Sequence, residues 1–377
     1  MAALRLALAG GGTGGHVVPG LHLVAHLAAR SELADLLWFV TGRRAEERAL
    51  AAAGALPEGL SVERVRLDLE PPGGGAPGPL RLLARTLPDG ARARSALRRH
   101  GSQVLLGLGG YTSLPAVLAA RSLRIPVALL EVNAVAGRAT RWLAPAARRV
   151  FHAWPGSVPA AGGARRERHV HTGPPLGPGL APAEPTEPES ADALRELGLD
   201  PEAPLLLVLG GSQGAGSLNG FLRAHAAELL AAGLQVLHQV GPGRLDEAAP
   251  GAERYRAAEY LDDVPLALAA ATLVLCRGGA ATLAEVAARR RPAVVVPYPH
   301  HPDRHQERNA RQLGEGVRIV AEGELGPPLA RELARLAGEP GHADRAAMAA
   351  ALAQALAGEG SARIASELQA LAAGRAG

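Results

Sequence analysis

The sequence predicts an α/β protein built from two doubly wound parallel-sheet domains, and three observations predict it. Two glycine-rich turns, about two hundred residues apart, each follow a short apolar run and precede a helix-like segment. Continuous apolar runs of strand length alternate with Ala/Leu/Arg segments of helical spacing, the pattern of a sheet covered on both faces. The chain has 377 residues and is 47% hydrophobic, more than one core holds, because single cores stop growing at about 250–300 residues.

In the first half the apolar runs fall at 4–9, 36–40, 104–108, 126–130, 150–152 and 170–172, and residues 1–173 read as one domain. Residues 174–200 carry Pro174, Pro175, Pro178, Pro182, Pro185 and Pro188 and lose the apolar period, so a linker is expected there. The alternation restarts at 205–209, 236–240, 273–276, 294–296 and 317–320, giving a second domain over 201–357. Beyond Ala343 the chain is Ala-rich, and a last helix over about 358–377 is expected to pack back on the first domain.

Aromatics make up only 3% of the chain, which argues against a stacking platform for nucleic acid. All 40 basic residues are Arg, and the net charge of +4 permits an anionic substrate or membrane surface without demanding either. Cys276 is the only cysteine, so no intrachain disulfide forms and a reducing compartment is expected. The longest uncharged apolar run, 264–276, falls short of the ~20 residues of a membrane span.

The first turn, Gly10-Gly11-Gly12-Thr13-Gly14-Gly15-His16, matches G-x-G-x-x-G. A dinucleotide site would also need a carboxylate closing the second strand, and that strand ends in Phe39-Val40-Thr41-Gly42. A phosphate loop of the Gly-Lys-Ser/Thr type fails because the chain has no Lys. The second turn is Gly210-Gly211-Ser212-Gln213-Gly214-Ala215-Gly216; small-residue junctions recur at 107–115 and 276–285, and Glu131-Val132-Asn133 adds a carboxylate and an amide. Each sits at a strand C-terminus, the edge where open α/β sheets bind ligands. The segment 296–309 is a polar cluster; His301, Asp303 and His305 are metal-ligand types, but Pro302 lies between the two histidines and argues against one continuous helical face, so no metal is expected and a loop offering amide and carboxylate groups to sugar hydroxyls is the better reading. His22 and His26 read as solvated or half-buried. Arg81, Arg85, Arg92, Arg94, Arg98 and Arg99 lie among leucines, a pattern that suits anionic lipid or an ordinary solvated face, and Pro88-Asp89-Gly90 is expected to keep any helix there short.

Taken in order, these motifs, with His238-Gln239 and Leu261-Asp262-Asp263, resemble the MurG family of UDP-N-acetylglucosamine transferases over about residues 5–320. The resemblance implies the GT-B arrangement, two Rossmann-like domains facing across a cleft. It also implies an inverting transfer of GlcNAc from UDP-GlcNAc to the C4 hydroxyl of the MurNAc sugar of lipid I, giving lipid II. It assigns UDP-GlcNAc to Thr13, Gly14, Gly15, Asn133, Ser212, Leu261, Ala280, Ala281, Thr282, Leu283, Ala284, Glu285 and Gln306. Glu285 would hold the ribose, the backbone near Leu261 the uracil, the Ser212 turn the diphosphate, and Asn133 and Gln306 the sugar hydroxyls. His16 is the first candidate for the general base and Glu131 the second. Amide groups at the second turn would stabilise the leaving diphosphate, so no metal and no cofactor is expected. The implied partners are UDP-GlcNAc, lipid I and an anionic membrane surface bound peripherally from the cytoplasmic side, with no nucleic acid. Three departures bear on the site: Leu130 and Val132 flank Glu131 where the family has His and Gln; Gly173-Pro174-Pro175-Leu176-Gly177 lacks the family's Arg; one residue is inserted near 300–302. Another GT-B enzyme, such as a UDP-GlcNAc 2-epimerase, or a non-catalytic nucleotide-sugar-binding protein is the alternative.

Overall fold

A computed structural model describes residues 3–374, apart from 12–13, 53–55, 57–58, 69–78, 111–112, 160–163, 181, 250–252, 302, 357 and 359. The chain divides into two compact units, one of Met1–Gly177 with Gly360–Gly377, the other of Pro178–Glu359.

In unit 1, β1 (Leu4–Ala9), α1 (Gly14–Ala29), β2 (Leu33–Val40), α2 (Arg44–Ala52), β3 (Ser61–Arg66), α3 (Pro79–His100) and β4 (Val104–Gly107) come first. Then follow α4 (Ser113–Ser122), β5 (Val127–Glu131), α5 (Arg138–Leu143), β6 (Arg149–His152), α6 (Ala164–Glu167) and β7 (His169–His171). The seven strands lie in the order β3-β2-β1-β4-β5-β6-β7, all paired parallel. The order therefore reverses between β1 and β4, the switch point where an open sheet leaves a crevice at its strand C-termini.

Unit 2 opens with α7 (Glu187–Glu196), β8 (Leu205–Leu209), α8 (Gly216–Ala231), β9 (Gln235–Gln239), β10 (Tyr255–Ala258), α9 (Val264–Ala270) and β11 (Leu273–Cys276). It continues through α10 (Ala280–Ala288), β12 (Ala293–Val295), α11 (His305–Arg311), β13 (Val317–Ile319), α12 (Pro327–Ala337) and α13 (His342–Ala355). Its six strands run β10-β9-β8-β11-β12-β13, parallel throughout, with the switch between β8 and β11. Leu206, Val208, Leu273 and Leu275 are all at 0% exposure, and each such side chain contributes roughly 1.5–3 kcal/mol through burial.

The last helix, α14 (Ser361–Ala372), belongs to unit 1. Gly360 N donates to Pro174 O at 2.7 Å, Arg149 pairs with Glu367 at 3.0 Å, and Ile364 and Leu368 are buried.

Two local expectations change. The helix broken at Pro88 is instead continuous as α3, 22 residues long with Pro88 inside. A proline removes one helical hydrogen bond, but Asp89 next to it is buried and accepts from Asp68 N at 2.9 Å, a tertiary bond, and from Arg92 one turn further along the helix at 3.2 Å, so these bonds fix the turn that the proline weakens. The side chains of Arg81 and Arg85 lie outside the described ones. The Pro-rich stretch 174–200 contains α7: the Thr186 hydroxyl caps Glu189 N, Pro188 falls in the first turn where its missing N–H does no harm, and Arg289 and Arg291 bind Glu189 and Ser190.

Candidate active site

The turn from β8 into α8 is held by backbone contacts on both sides. Gly211 has φ +81° and Gly214 φ +72°, values that disfavour any side chain, and Gly214 N closes the bend on Gly211 O at 3.0 Å. A Cβ on Gly214 would overlap the Val240 carbonyl oxygen and come within 2.9 Å of Gly241 Cα. Gly241, itself at φ +97°, would in turn press a Cβ to 2.6 Å from Gly214 N. Gln239 Nε2 donates to Gly211 O at 3.2 Å and Tyr260 Oη to Ser212 O at 2.8 Å, so the carbonyls of the bend point inward to partners. The first helical N–H groups of α8 have no side-chain cap, because the N-cap is Ala215. An uncapped helix start on a glycine bend presents donors to an anion.

Across the switch point, α10 also starts without a side-chain cap, on Gly279. Ala280, Leu283 and Ala284 are buried, so any part the last two take in binding runs through backbone; Ala281 and Thr282 are half-buried. Glu285 is only 9% exposed, and burial pushes its carboxyl up to about 8. A carboxyl group so buried gains from a ligand hydroxyl that donates to it.

Gln306, in the first turn of α11, joins three pieces of unit 2. Its Oε1 accepts from Gly278 N at 3.2 Å and from Tyr298 N at 2.9 Å, which fixes the amide so that Nε2 is the group it offers to a ligand. Asn309 Nδ2 donates to Gly278 O at 3.1 Å, and a Cβ on Gly278 would strike Gln306. Arg277 ties the end of β11 to α8: it donates to Val296 O at 3.0 Å and Ser217 Oγ at 2.7 Å and pairs with Glu322 at 2.5 Å. Leu261 is half-buried, just before Asp263, whose side chain caps α9 through Leu266 N at 2.8 Å.

His301, Asp303 and His305 share no single helical face, yet their side chains come together. His301 Nδ1 and His305 Nδ1 both donate to Asp303 Oδ1, at 2.6 and 2.9 Å. Desolvation would raise the Asp303 carboxyl, but hydrogen bonds from the His305 ring and backbone and from the His301 ring outweigh it and hold the group at about 2.

In unit 1 the β1 and β4 turns lie side by side at the switch point. Gly10 has φ +153° and would set a Cβ 2.7 Å from the Leu108 Cβ. Ser113 Oγ donates to Ala9 O and Gly109 O, both at 2.8 Å, which stitches the two turns together. His16 sits half-buried in the first turn of α1, its ring against Gly109, where φ is +103° and a Cβ would come within 3.0 Å of Nε2. Gly14 is buried and Gly15 exposed; Thr13 lies outside the described residues. Glu131 is buried, with its carboxylate accepting from Asn133 N at 3.0 Å, Asn133 Nδ2 at 3.2 Å and Gly137 N at 2.8 Å. Its oxygens are thus engaged in shaping the loop that presents Asn133.

One residue went unnoticed in the sequence. Glu46, at 0% exposure, accepts from Thr41 N at 2.7 Å, Thr41 Oγ1 at 2.6 Å and Gly42 N at 2.9 Å, while a Cβ on Gly11 would overlap its other oxygen. Its carboxylate braces the glycine turn from below. Only its distance from Thr41-Gly42 hinted at this. His22 is held to the 174–177 segment by a bond from Nδ1 to Pro175 O at 3.2 Å, and burial lowers it to about 4 against the opposing effect of that bond.

Two doubly wound parallel sheets, each with a glycine turn at its switch point, are the architecture of the GT-B class, which the chain shares with glycosyltransferases of known structure. Residues 6–152 match the glycosyltransferase family 28 N-terminal domain and residues 205–364 the family 28 C-terminal domain. A UDP-N-acetylglucosamine–N-acetylmuramyl-(pentapeptide) pyrophosphoryl-undecaprenol N-acetylglucosamine transferase of Sorangium cellulosum is 41% identical, over 97% of this chain and 88% of that protein. The fold is shared with the crystal structure of Acinetobacter baumannii MurG, at a TM-score of 0.67, 24% identity and coverage of 97% and 98% of the two chains. It is shared also with a UDP-GlcNAc 2-epimerase from Neisseria meningitidis bound to UDP-GlcNAc, at 0.61, 12%, and 97% and 99%. The chain belongs to glycosyltransferase family 28 and, within it, to the family of the Sorangium transferase.

Proposed function

We propose that this protein transfers GlcNAc from UDP-GlcNAc to the C4 hydroxyl of the MurNAc sugar of lipid I, releasing UDP and giving lipid II. The observation that carries the reading is 41% identity to a transferase of that name over 97% of the chain. The uncapped start of α8 on the Gly210–Gly216 bend supports the chemistry, because donors aimed at the diphosphate stabilise charge that grows as UDP leaves. Glu285 takes the ribose hydroxyls, Gln306 Nε2 and Asn133 take sugar hydroxyls, and the backbone at Leu261 takes the base. The reaction inverts the anomeric carbon by direct displacement. His16 takes the proton of the attacking hydroxyl, since the Glu131 oxygens already serve their own loop.

UDP release from UDP-GlcNAc, measured with and without a short-chain lipid I analogue and with EDTA present, tests the reading. Release that depends on the acceptor is the expected result. Formation of the 2-epimer without acceptor, or binding of UDP-GlcNAc without release of UDP, would place the protein among the alternatives.

Glu285 makes the binding step pH-dependent. Ribose hydroxyls donate to the ionised carboxylate, whereas burial keeps the group protonated up to about 8, against an ordinary 4.5. Affinity for UDP-GlcNAc should therefore climb with pH by up to about tenfold per unit and level off near 8, with a proton released on binding at neutral pH. By the same linkage, the Glu285 contribution to stability is complete below 4.5 and lost as pH rises through about 8. Calorimetry in two buffers of different ionisation enthalpy reads the proton; a flat profile would remove Glu285 from the ribose site.

The protein meets the membrane through unit 1. No helix among the described residues is long and apolar enough to cross a bilayer. Leu87, Leu118 and Trp142 are 69%, 49% and 56% exposed on α3, α4 and α5, with α4 packed against both neighbours. Arg121, Arg138 and Arg141 are exposed on the same elements, and the Arg138 guanidinium lies over the Trp142 ring at 5.4 Å. Apolar tips among arginines suit the headgroup layer of an anionic bilayer, at ~1 kcal/mol per basic residue. Arg121→Glu with Arg141→Glu is expected to reduce sedimentation with phosphatidylglycerol vesicles at least tenfold, with turnover on a short-chain analogue unchanged; equal sedimentation would move the membrane contact elsewhere.

A further inference from the structure

The turn before α11 is more than a carrier of Gln306. His301, Asp303 and His305 each offer one ligand atom, and the three atoms lie within 4.8 Å of one another. The two imidazole N–H groups donate to the same carboxylate oxygen, at 2.6 and 2.9 Å, so the three ligand atoms are already gathered at one place. The rings stand at 87° with centroids 4.2 Å apart, so they meet edge to face and do not stack. The backbone fixes this arrangement: Arg304 N donates to His301 O at 2.9 Å, Arg304 adopts a left-handed conformation at φ 47°, and His305 N donates to Asp303 Oδ1 at 3.1 Å. At 49%, 49% and 25% side-chain exposure, the three groups are open to solvent on one side.

We propose that His301, Asp303 and His305 form a binding site for a divalent first-row transition-metal ion of the zinc, cobalt or nickel type. Two imidazoles and one carboxylate are a donor set for such ions, whereas magnesium and calcium take oxygen donors. An ion at ~2.0–2.2 Å from each donor holds them slightly further apart than hydrogen bonds do, so loading needs only a small opening of the cluster. The ion replaces the hydrogen bonds: each Nδ1 lone pair faces the metal, the imidazole proton moves to Nε2, and water fills the remaining positions on the exposed side.

The untagged full-length chain, stripped with EDTA and dialysed, is titrated with cobalt(II) chloride and followed by its visible absorption. The expected result is one equivalent bound, with a band more intense than that of hydrated cobalt(II), displaced by one equivalent of zinc chloride. His301→Ala and Asp303→Asn should each weaken binding at least tenfold. His300→Ala, which removes a neighbouring exposed imidazole outside the cluster, should leave it unchanged. Because the altered residues are exposed, the metal-free variants should melt with the parent, and zinc chloride should raise the melting temperature of the parent alone. Absence of the band, equal binding by parent and His301→Ala, or an equal loss in His300→Ala would overturn the assignment.

Discussion

Replacing Gly214 by Ala is expected to lower kcat/KM for UDP-GlcNAc by at least about a hundredfold, and two effects combine to do it. The residue sits at φ +72°, where a side chain costs ~1–2 kcal/mol. The added methyl also meets the Val240 carbonyl and Gly241 Cα, both backbone atoms of the neighbouring strand exit, and neither can rotate aside as a side chain would. The bend must shift instead. A displacement of ~1 Å in the groups that position substrate is enough for a hundredfold loss. Overpacking adds ~1–3 kcal/mol, so stability should fall by a few kcal/mol in all, read as an earlier urea transition. Gly211 supplies the comparison, since it has φ +81° but no heavy atom within 4 Å of its Cβ position. Gly211→Ala should therefore carry the conformational cost alone, ~1–2 kcal/mol. If the two variants behaved alike, steric locking by the 240–241 segment would be ruled out.

That lock shows where sequence reading reaches its limit. The turn 210–216 is legible because glycines between an apolar strand and a helix have few other uses. Gly241 is not, because its partner across the lock lies on a different strand, and only β8 pairing with β9 brings them together. The same contrast runs through the fold. Strands buried on both faces, such as β4 and β8, read as continuous apolar runs. The edge strands β3 and β10 escaped notice: Ser61–Arg66 is half-exposed, with adjacent Glu63 and Arg64 breaking any apolar run or alternation, and Tyr255–Ala258 offers only four residues. Helices α3 and α7 each contain a proline, and they form because distant partners supply what local propensity lacks, Asp68 in one case and Arg289 and Arg291 in the other.

Within the site, residue types were readable and their geometry was not. That Gln306 belongs to a polar segment after a buried strand is legible in its motif. That its Oε1 is bound by Gly278 and Tyr298, leaving Nε2 as the donor, depends on three segments meeting. Glu46 gives almost no sign in the sequence beyond its closeness to Thr41-Gly42, since its role under Gly11 exists only once α2 has packed beside the first turn. For His301 and His305, the sequence rightly argues against one continuous helical face, since α11 begins only at His305, but it gives no view of how they meet. A left-handed Arg304 folds the pair onto Asp303 before the helix begins.

His16→Ala carries the other large expected effect, on kcat. A positioned general base contributes typically 10²–10⁴-fold, and the imidazole at the start of α1 is the group whose ordinary pKa suits proton transfer near neutrality. Its place over Gly109 is sterically tight: with φ +103° and a Cβ that would fall 2.9–3.0 Å from the ring, only glycine there lets the imidazole lie where it does. kcat should drop by two to four orders of magnitude, while the dissociation constant for UDP-GlcNAc changes by no more than about twofold, because the donor's ribose and diphosphate are assigned to unit 2. The acid limb of the kcat profile should disappear with the imidazole. Gly109→Ala separates chemistry from scaffold, for it keeps the imidazole but pushes it off its seat, and it should reproduce most of the loss in kcat while retaining a titrating limb. Turnover that survives in His16→Ala would end the base assignment and leave the displacement to be assisted from elsewhere in unit 1.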